Sequence, residues 1–223
     1  MGFKIAIDGP AGAGKSTIAK ELAKKLGFIY VDTGAMYRAM ALYLIRKNVD
    51  GTDRAQVEAI CQQAEISIAY EDGQQVVLMD KENVNSLIRT EEVGNMASTV
   101  SAYTKVREKL VELQQSLAES RSVVMDGRDI GTCVLPDAQV KVFLTAGSCV
   151  RAVRRYEELK EKGEVCDLEE IEAGIIQRDR KDMERETSPL RQAEDAVLID
   201  SSHLTVEEVV SAILELVREK ERK

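Results

Sequence analysis

Two rhythms of apolar and polar positions alternate along this chain. Five short runs are apolar at nearly every position: "FKIAID" at 3–8, "FIYV" at 28–31, "SVVMD" at 122–126, "VKVFLT" at 140–145 and "AVLID" at 196–200. Runs of this length and character fit strands covered on both faces. Between them, apolar residues recur every three or four positions. "KSTIAKELAKKLG" places Ile18, Leu22 and Leu26 on one face and stops at Gly27. Helical spacing returns from Gly34 to Lys47, and again after "DGTD", with Thr52 or Asp53 as N-cap. It runs from Thr90 to Ser120, where Val106, Leu110, Leu113 and Leu117 form a stripe. A long pattern starts at Ser148 and is interrupted near "EKGEVCD". The last, "TVEEVVSAILELV", sets Val206, Val210, Ile213 and Val217 on one face, and "REKERK" is expected to fray into solvent.

Strands separated by helices of these lengths predict an α/β fold with a five-stranded parallel sheet flanked by helices. One stretch breaks the alternation. "ISIAYEDGQQVVLMD" switches between apolar and polar around an Asp72-Gly73 turn, the pattern of a β-hairpin. Residues of about 62–90 are therefore expected to form a small antiparallel insert. In open parallel sheets ligands bind beyond the carboxyl ends of the strands. Asp8, Asp32, Asp126 and Thr145 fall at such ends and mark the ligand edge.

Composition narrows the possibilities. A length of 223 residues suits one such domain with an insertion. A net charge of −8 argues against a nucleic-acid surface, so any anionic ligand must be met by basic residues gathered locally. No apolar run approaches the roughly 20 residues that cross a bilayer. The opening "MGFKIAIDGP" reads as a strand rather than a signal peptide, and Gly2 is discounted as a lipidation site. Cys61, Cys133, Cys149 and Cys166 form no CxxC pair, and His203 is the sole histidine. A zinc site and a catalytic histidine are thus both disfavoured. Scattered thiols without a secretory signal lead us to expect a reducing, cytoplasmic setting and idle cysteines.

"GPAGAGKS", Gly9 to Ser16, matches G-x-x-x-x-G-K-[ST] between a strand and a helix. Its glycines let the backbone wrap a phosphate with several N–H groups pointing inward, and the helix start adds its positive dipole end. Lys15 is expected at the β- and γ-phosphates and Ser16 on Mg²⁺. The motif predicts a P-loop NTPase that binds a nucleoside triphosphate through Gly9, Pro10, Ala11, Gly12, Ala13, Gly14, Lys15, Ser16 and Thr17. A bare glycine turn is the plainer reading, which the strand–helix context disfavours.

A phosphoryl-transfer enzyme mainly positions reactants and neutralises charge. If the acceptor is itself a phosphate, several arginines from different segments are needed, because guanidinium grips phosphate bidentately. Arg38 follows a strand-end aspartate, and Arg128 stands with Asp129 between Gly127 and Gly131 after a strand. Arg151, Arg154 and Arg155 share one helical face, although a solvated surface would account for any one of them equally well. Ile171, Ile175, Arg178, Asp182 and Arg185 run along one stripe that turns from apolar to charged, which points its charged end at a cleft.

"GPAGAGKST", "DTGAMYR", "VREKL", "DGRDIGT" and "RDRKDMERETSPL", in that order, closely resemble bacterial cytidylate kinases over essentially the whole chain. The resemblance implies transfer of the ATP γ-phosphate to CMP or dCMP with Mg. It also implies a core (1–32, 121–150 and 188–223), an NMP-binding segment (33–120) that holds the insert, and a lid (about 151–167). It assigns Arg38, Arg128 and Arg185 to the acceptor phosphate, Ser98, Arg107 and Asp129 to the cytosine, and Arg178 and Asp182 to the sugar. Thr33 takes the place of a small hydroxyl residue near the acceptor. Lys15, Arg128, Arg185 and the lid residue Arg155 are the groups expected at the transferring phosphoryl. Small-molecule nucleotides and a monomeric enzyme are implied, with neither nucleic acid nor membrane as partner. Ser16 completes the motif where some relatives carry glycine. No strand ends in an unmistakable Walker B sequence: Asp126 is one candidate for the metal, and a shell of phosphates, Ser16 and water is the other. A kinase for another acceptor such as UMP, or a non-catalytic nucleotide-binding module, is the alternative.

Overall fold

The computed structural model describes residues 2–71 and 73–222. Its main sheet has five strands: β1 (Lys4–Asp8), β2 (Ile29–Asp32), β6 (Val123–Gly127), β7 (Val140–Thr145) and β8 (Val197–Asp200), in the order β2-β6-β1-β7-β8. The pairings of β1 with β6, β1 with β7 and β7 with β8 are parallel. A second, three-stranded antiparallel sheet contains β3 (Ile66–Glu71), β4 (Gln74–Met79) and β5 (Glu82–Asn83). The expected five-stranded α/β architecture and the antiparallel insert are both present. The insert has a third short strand, and of the predicted turn pair Gly73 sits at φ 76° while Asp72 lies outside the described residues.

The chain divides into two compact units. One is Phe3–Phe28 with Val123–Lys223. Here Ile5, Ile7, Val124, Met125, Val142 and Leu144 are almost wholly buried, which explains why these strands read as unbroken apolar runs. Asp8 pairs with Gly127 on one side and Phe143 on the other, so the carboxyl ends of β1 and β6 finish level. The chain segments leaving those two strands are therefore neighbours by register alone. Helix α1 (Lys15–Leu26) follows β1, and α8 (Val206–Glu221) closes the unit. The buried stripe of α8 is Val209, Val210, Ile213 and Val217; Val206 is exposed in its first turn, contrary to expectation. The expected frayed tail is helical as far as Glu221, extended beyond a Thr205–Glu208 capping box at the other end.

The other unit is Ile29–Ser122 with the first two residues. Helices α2 (Thr33–Arg46) and α3 (Arg54–Ile60) are capped by the side chains of Asp32 and Asp53. The helical region expected from 90 to 120 consists of α4 (Glu91–Val100) and α5 (Thr104–Glu119). The buried positions of α5 are Val106, Arg107, Leu110, Gln114 and Ala118; Leu113 and Leu117 lie only half in. The buried row is Val106, Leu110, Gln114 and Ala118, with Arg107 beside it, so Gln114 and Ala118 take the places expected for Leu113 and Leu117. Among the described residues no helix is long and apolar enough to cross a membrane.

Candidate active site

In the Phe3–Phe28 and Val123–Lys223 unit, the glycine loop leaves β1 at Gly9. Its φ of 149° and a would-be Cβ 1.9 Å from the Leu144 carbonyl oxygen exclude any side chain. Gly12 and Gly14 also take positive φ, as a tight anion-wrapping loop demands. Gly14 occupies the N-cap of α1 without a side-chain cap, whereas α7 (Leu168–Glu184) and α8 are capped by Asp167 and Thr205. The first amides of α1 are thus left for a ligand. Gly12, Ser16 and Thr17 are exposed, while Ala13 and Lys15 are buried.

The Lys15 ammonium donates to the Pro10 carbonyl at 2.6 Å. Burial, and next the nearby Arg128 charge, push its pKa down to about 7, against the pull of Asp126, Asp8 and Asp182. A lysine so destabilised as a cation favours a ligand that brings negative charge. The Ser16 hydroxyl donates to the Asp126 carboxylate at 2.9 Å. That pair offers a hydroxyl and a carboxylate oxygen at the head of α1, a hard-oxygen set of the kind Mg²⁺ takes. Among the described residues no group of three or more His, Cys, Asp or Glu side chains forms a metal cluster.

Two residues beyond Asp126 comes Arg128. Its Nε donates to Asp182 Oδ2 at 2.8 Å, and both groups are mostly buried. Burial works to raise the Asp182 carboxyl, but the charges of Arg128, Arg178 and Arg185 outweigh it and hold the group below the usual aspartate range. Asp129 is buried and faces Arg185, with 3.7 Å between Oδ1 and Nη2. Arg185, just past the end of α7, also donates through Nε to the Ser188 carbonyl at 2.6 Å. The stripe Ile171, Ile175, Arg178, Asp182, Arg185 is the protected face of α7, as its spacing predicted. Lys15, Asp126, Arg128, Asp129, Arg178, Asp182 and Arg185 form one cluster of neighbouring charges within this unit, and Ser16 joins it through Asp126.

The segment 127–131 differs from an open glycine loop. Residues Ile130–Val134 form a π-helical turn, fastened by Asp8, whose two carboxylate oxygens accept from Ile130 N and Gly131 N at 2.7 Å each. Burial raises Asp8 to about 6, opposed by those two N–H groups and by Lys15. A Cβ on Gly131 would come within 3.2 Å of the Lys141 side chain and 3.3 Å of the Asp8 carboxylate, so those neighbours would have to give by a few tenths of an ångström. Asp8 was marked as a strand-end residue by sequence, but its partners 122 and 123 positions away were not.

The arginines of α6 (Ser148–Glu161) do not act as one face. Arg151 is buried: Nε donates to Ala146 O at 2.8 Å, Nη1 to Ala11 O at 3.0 Å, and Nη1 pairs with Asp179 at 2.7 Å. It ties α7 to the back of the glycine loop. Arg154 donates to Ser201 O at 2.7 Å, and Ser201 in turn donates to Thr145 O at 3.1 Å. Arg155 lies on the surface beside Glu158 at 3.1 Å. Arg151 and Arg154 are spent on internal structure, which the i, i+3, i+4 spacing could not reveal.

In the Ile29–Ser122 unit, Asp32 caps α2 and pairs with Arg89 at 2.9 Å. Thr33, first residue of α2, is buried. Arg38, one turn on, is half-buried and donates from Nη1 to Ile88 O at 3.0 Å. Arg107 is buried over the Tyr37 ring, 5.7 Å from its centroid, and donates to Ser101 O at 3.2 Å. The Ser101 hydroxyl donates to Ser98 O at 3.0 Å, so Ser98 and Arg107 share one short segment.

Residues 5–219 match the family model described as cytidylate kinase. The chain is 54% identical over 214 residues to a cytidylate kinase of Caldicellulosiruptor saccharolyticus, covering 96% of this chain and 95% of that one. It is 49% identical over 220 residues to a cytidylate kinase of Bacillus velezensis, covering 99% and 98%. Among solved structures, the fold is like that of a shikimate kinase from Acinetobacter baumannii in complex with shikimate (TM-score 0.51, 15% identity, 100% and 97% covered). It is also like that of an uncharacterised protein from Eubacterium ventriosum (TM-score 0.55, 12% identity, 97% and 98% covered).

Proposed function

This chain belongs to the cytidylate kinase family, and on that premise we propose that it transfers the γ-phosphoryl group of ATP to CMP and dCMP. The observation that carries the proposal is the end of β6. Within three residues it supplies Asp126, bonded to Ser16 of the glycine loop, and Arg128, held by Asp182 of α7. One strand end thus links the triphosphate loop to a group suited to a second phosphate.

The triphosphate is assigned to Gly9 through Thr17, with Lys15 neutralising charge on the β- and γ-phosphates. Ser16 would hold Mg²⁺ with Asp126 near it; when bound, the metal supplies charge neutralisation across the phosphates. The acceptor phosphate is assigned to Arg38, Arg128 and Arg185, its sugar to Arg178 and Asp182, and its base to Ser98, Arg107 and Asp129, with Thr33 beside it. Arg155 is the lid residue assigned to the moving phosphoryl group.

The acceptor needs no strong base. A phosphate monoester has a second pKa of about 6, so an oxygen anion is already present near neutrality. That oxygen forms a bond to the γ-phosphorus, the bond from that phosphorus to the β,γ-bridging oxygen breaks, and ADP departs with the released charge. Arg128 exchanges its Asp182 partner for phosphate oxygens. Cytosine offers an N4 amino donor and N3 and O2 acceptors. A carboxylate at Asp129 accepts from N4 and Arg107 donates to N3 or O2. Uracil inverts that pattern and leaves the buried groups unpaired, a penalty that reaches roughly 10⁴-fold in sites of this kind.

All assigned groups come from one chain, so a monomer carries the reaction in this reading. The reactants are small nucleotides of the cytoplasmic pool. A panel of CMP, dCMP, UMP and AMP with ATP and Mg²⁺, read as ADP formed, tests it. Turnover of CMP and dCMP well above UMP is expected. Equal or faster turnover of UMP overturns the cytosine assignment, and tight nucleotide binding without any ADP formation overturns the enzyme.

A further inference from the structure

Gly94 is the fourth residue of α4, inside a helix capped at its start by Thr90. Its φ is not positive, so the backbone does not call for glycine there. Glycine is the poorest helix former apart from proline, and an interior helical glycine needs another reason. The reason lies in Arg38 of α2. A Cβ on residue 94 would fall 3.1 Å from Arg38 Nη1, 3.2 Å from Nη2 and 3.4 Å from Cζ. Three guanidinium atoms at nearly equal range place the group over the bare backbone of residue 94. The same Nη1 donates to Ile88 O at 3.0 Å, so the guanidinium is tethered on the chain that leads into α4. Room for an added methyl requires the guanidinium to give by a few tenths of an ångström against that tether.

We infer that Gly94 is a positioning residue for the acceptor: its missing side chain is the slot that sets where Arg38 presents its charge to the acceptor phosphate. The inference rests on the acceptor-phosphate role given to Arg38 under the proposed function. Paired N–H groups on a guanidinium reward phosphate binding only within a narrow geometry. A shift of a few tenths of an ångström at Arg38 therefore weakens the acceptor while leaving the triphosphate loop untouched. The substitution that should strengthen the helix is the one that harms binding, a stability–function conflict.

Gly174 supplies the control. It is likewise inside a helix, α7, but a Cβ there meets nothing within 4 Å. Gly94→Ala, Gly174→Ala, Arg38→Ala and the Gly94→Ala/Arg38→Ala double variant are compared by calorimetric CMP and ATP binding and by thermal melting. Gly94→Ala is expected to raise the CMP dissociation constant about tenfold, with ATP binding unchanged and the melting temperature at or above that of the parent. Gly174→Ala is expected to match the parent for CMP. In the Arg38→Ala background, adding Gly94→Ala should change CMP affinity no further. Parental CMP affinity in Gly94→Ala, with Arg38→Ala weakened, overturns the role of residue 94 alone. A loss that persists in the Arg38→Ala background does the same. Parental CMP affinity in Arg38→Ala removes Arg38 from the acceptor and takes the inference down with it.

Discussion

The Asp8 carboxylate and the Gly131 amide are joined at 2.7 Å, and a Cβ on residue 131 would crowd that carboxylate at 3.3 Å. Through this bond the last residue of β1 fixes the turn that follows Arg128 and Asp129. The two segments proposed to meet the reactants, the glycine loop and residues 127–131, are therefore joined at one buried aspartate. Asp8→Asn keeps the shape but turns one acceptor into a donor facing a backbone N–H. A buried donor or acceptor left unsatisfied costs about 1–3 kcal/mol. Urea denaturation should show a loss of that size, with a fall in kcat for CMP, and parental stability would mean the two bonds carry no weight.

Lys15 is nearly solvent-free and its charge is poorly supported until an anion arrives. Lys15→Ala should lower kcat by at least about 10²-fold, the scale for removing one preorganised charge-stabilising group. Steady-state ADP formation with saturating CMP measures it. Unaltered turnover would take Lys15 out of the phosphate site.

Asp129 is buried within reach of Arg185, yet its proposed partner is the cytosine amino group. Asp129→Ala should raise the KM for CMP far more than the KM for ATP, and should narrow the preference for CMP over UMP. A loss confined to ATP contradicts its role as a base reader.

The five strands, the glycine loop and the protected stripe of α7 were legible because each depends on short-range pattern: apolar runs, a fixed motif spacing, and a three-to-four repeat. What stayed hidden depends on contacts between distant segments. The π turn at Ile130–Val134 exists because Asp8 caps it from 122 positions away. Arg151, Arg154 and Arg155 look alike in sequence, yet Arg151 holds Ala11 and Asp179, Arg154 holds Ser201, and only Arg155 stays at the surface. Helical spacing alone cannot show the space at Gly94, because what fills it is a guanidinium 56 positions earlier in the chain, at Arg38. Strand β5, only Glu82–Asn83, is too short and too polar to show a period at all.

The Arg128–Asp182 pair predicts a pH dependence of stability with a definite sign. The Asp182 carboxyl is held below its ordinary range in the folded chain by three arginines that prevail over burial. A group whose folded pKa is depressed adds stability that is fully present above its unfolded pKa, near 4, and is lost as pH falls through the folded value. Asp182→Asn should therefore cost about 1.5–3 kcal/mol at pH 7, the range for a hydrogen bond to a charged group. The gap from the parent should close as the pH is lowered from 5 toward 3, because the parent loses this contribution and the variant has none to lose. Urea midpoints taken at half-unit steps of pH measure the gap directly. A gap that stays constant across that range would mean Asp182 is stabilised by packing rather than by its charge, and Arg128 would then need another partner to hold it ready for the acceptor.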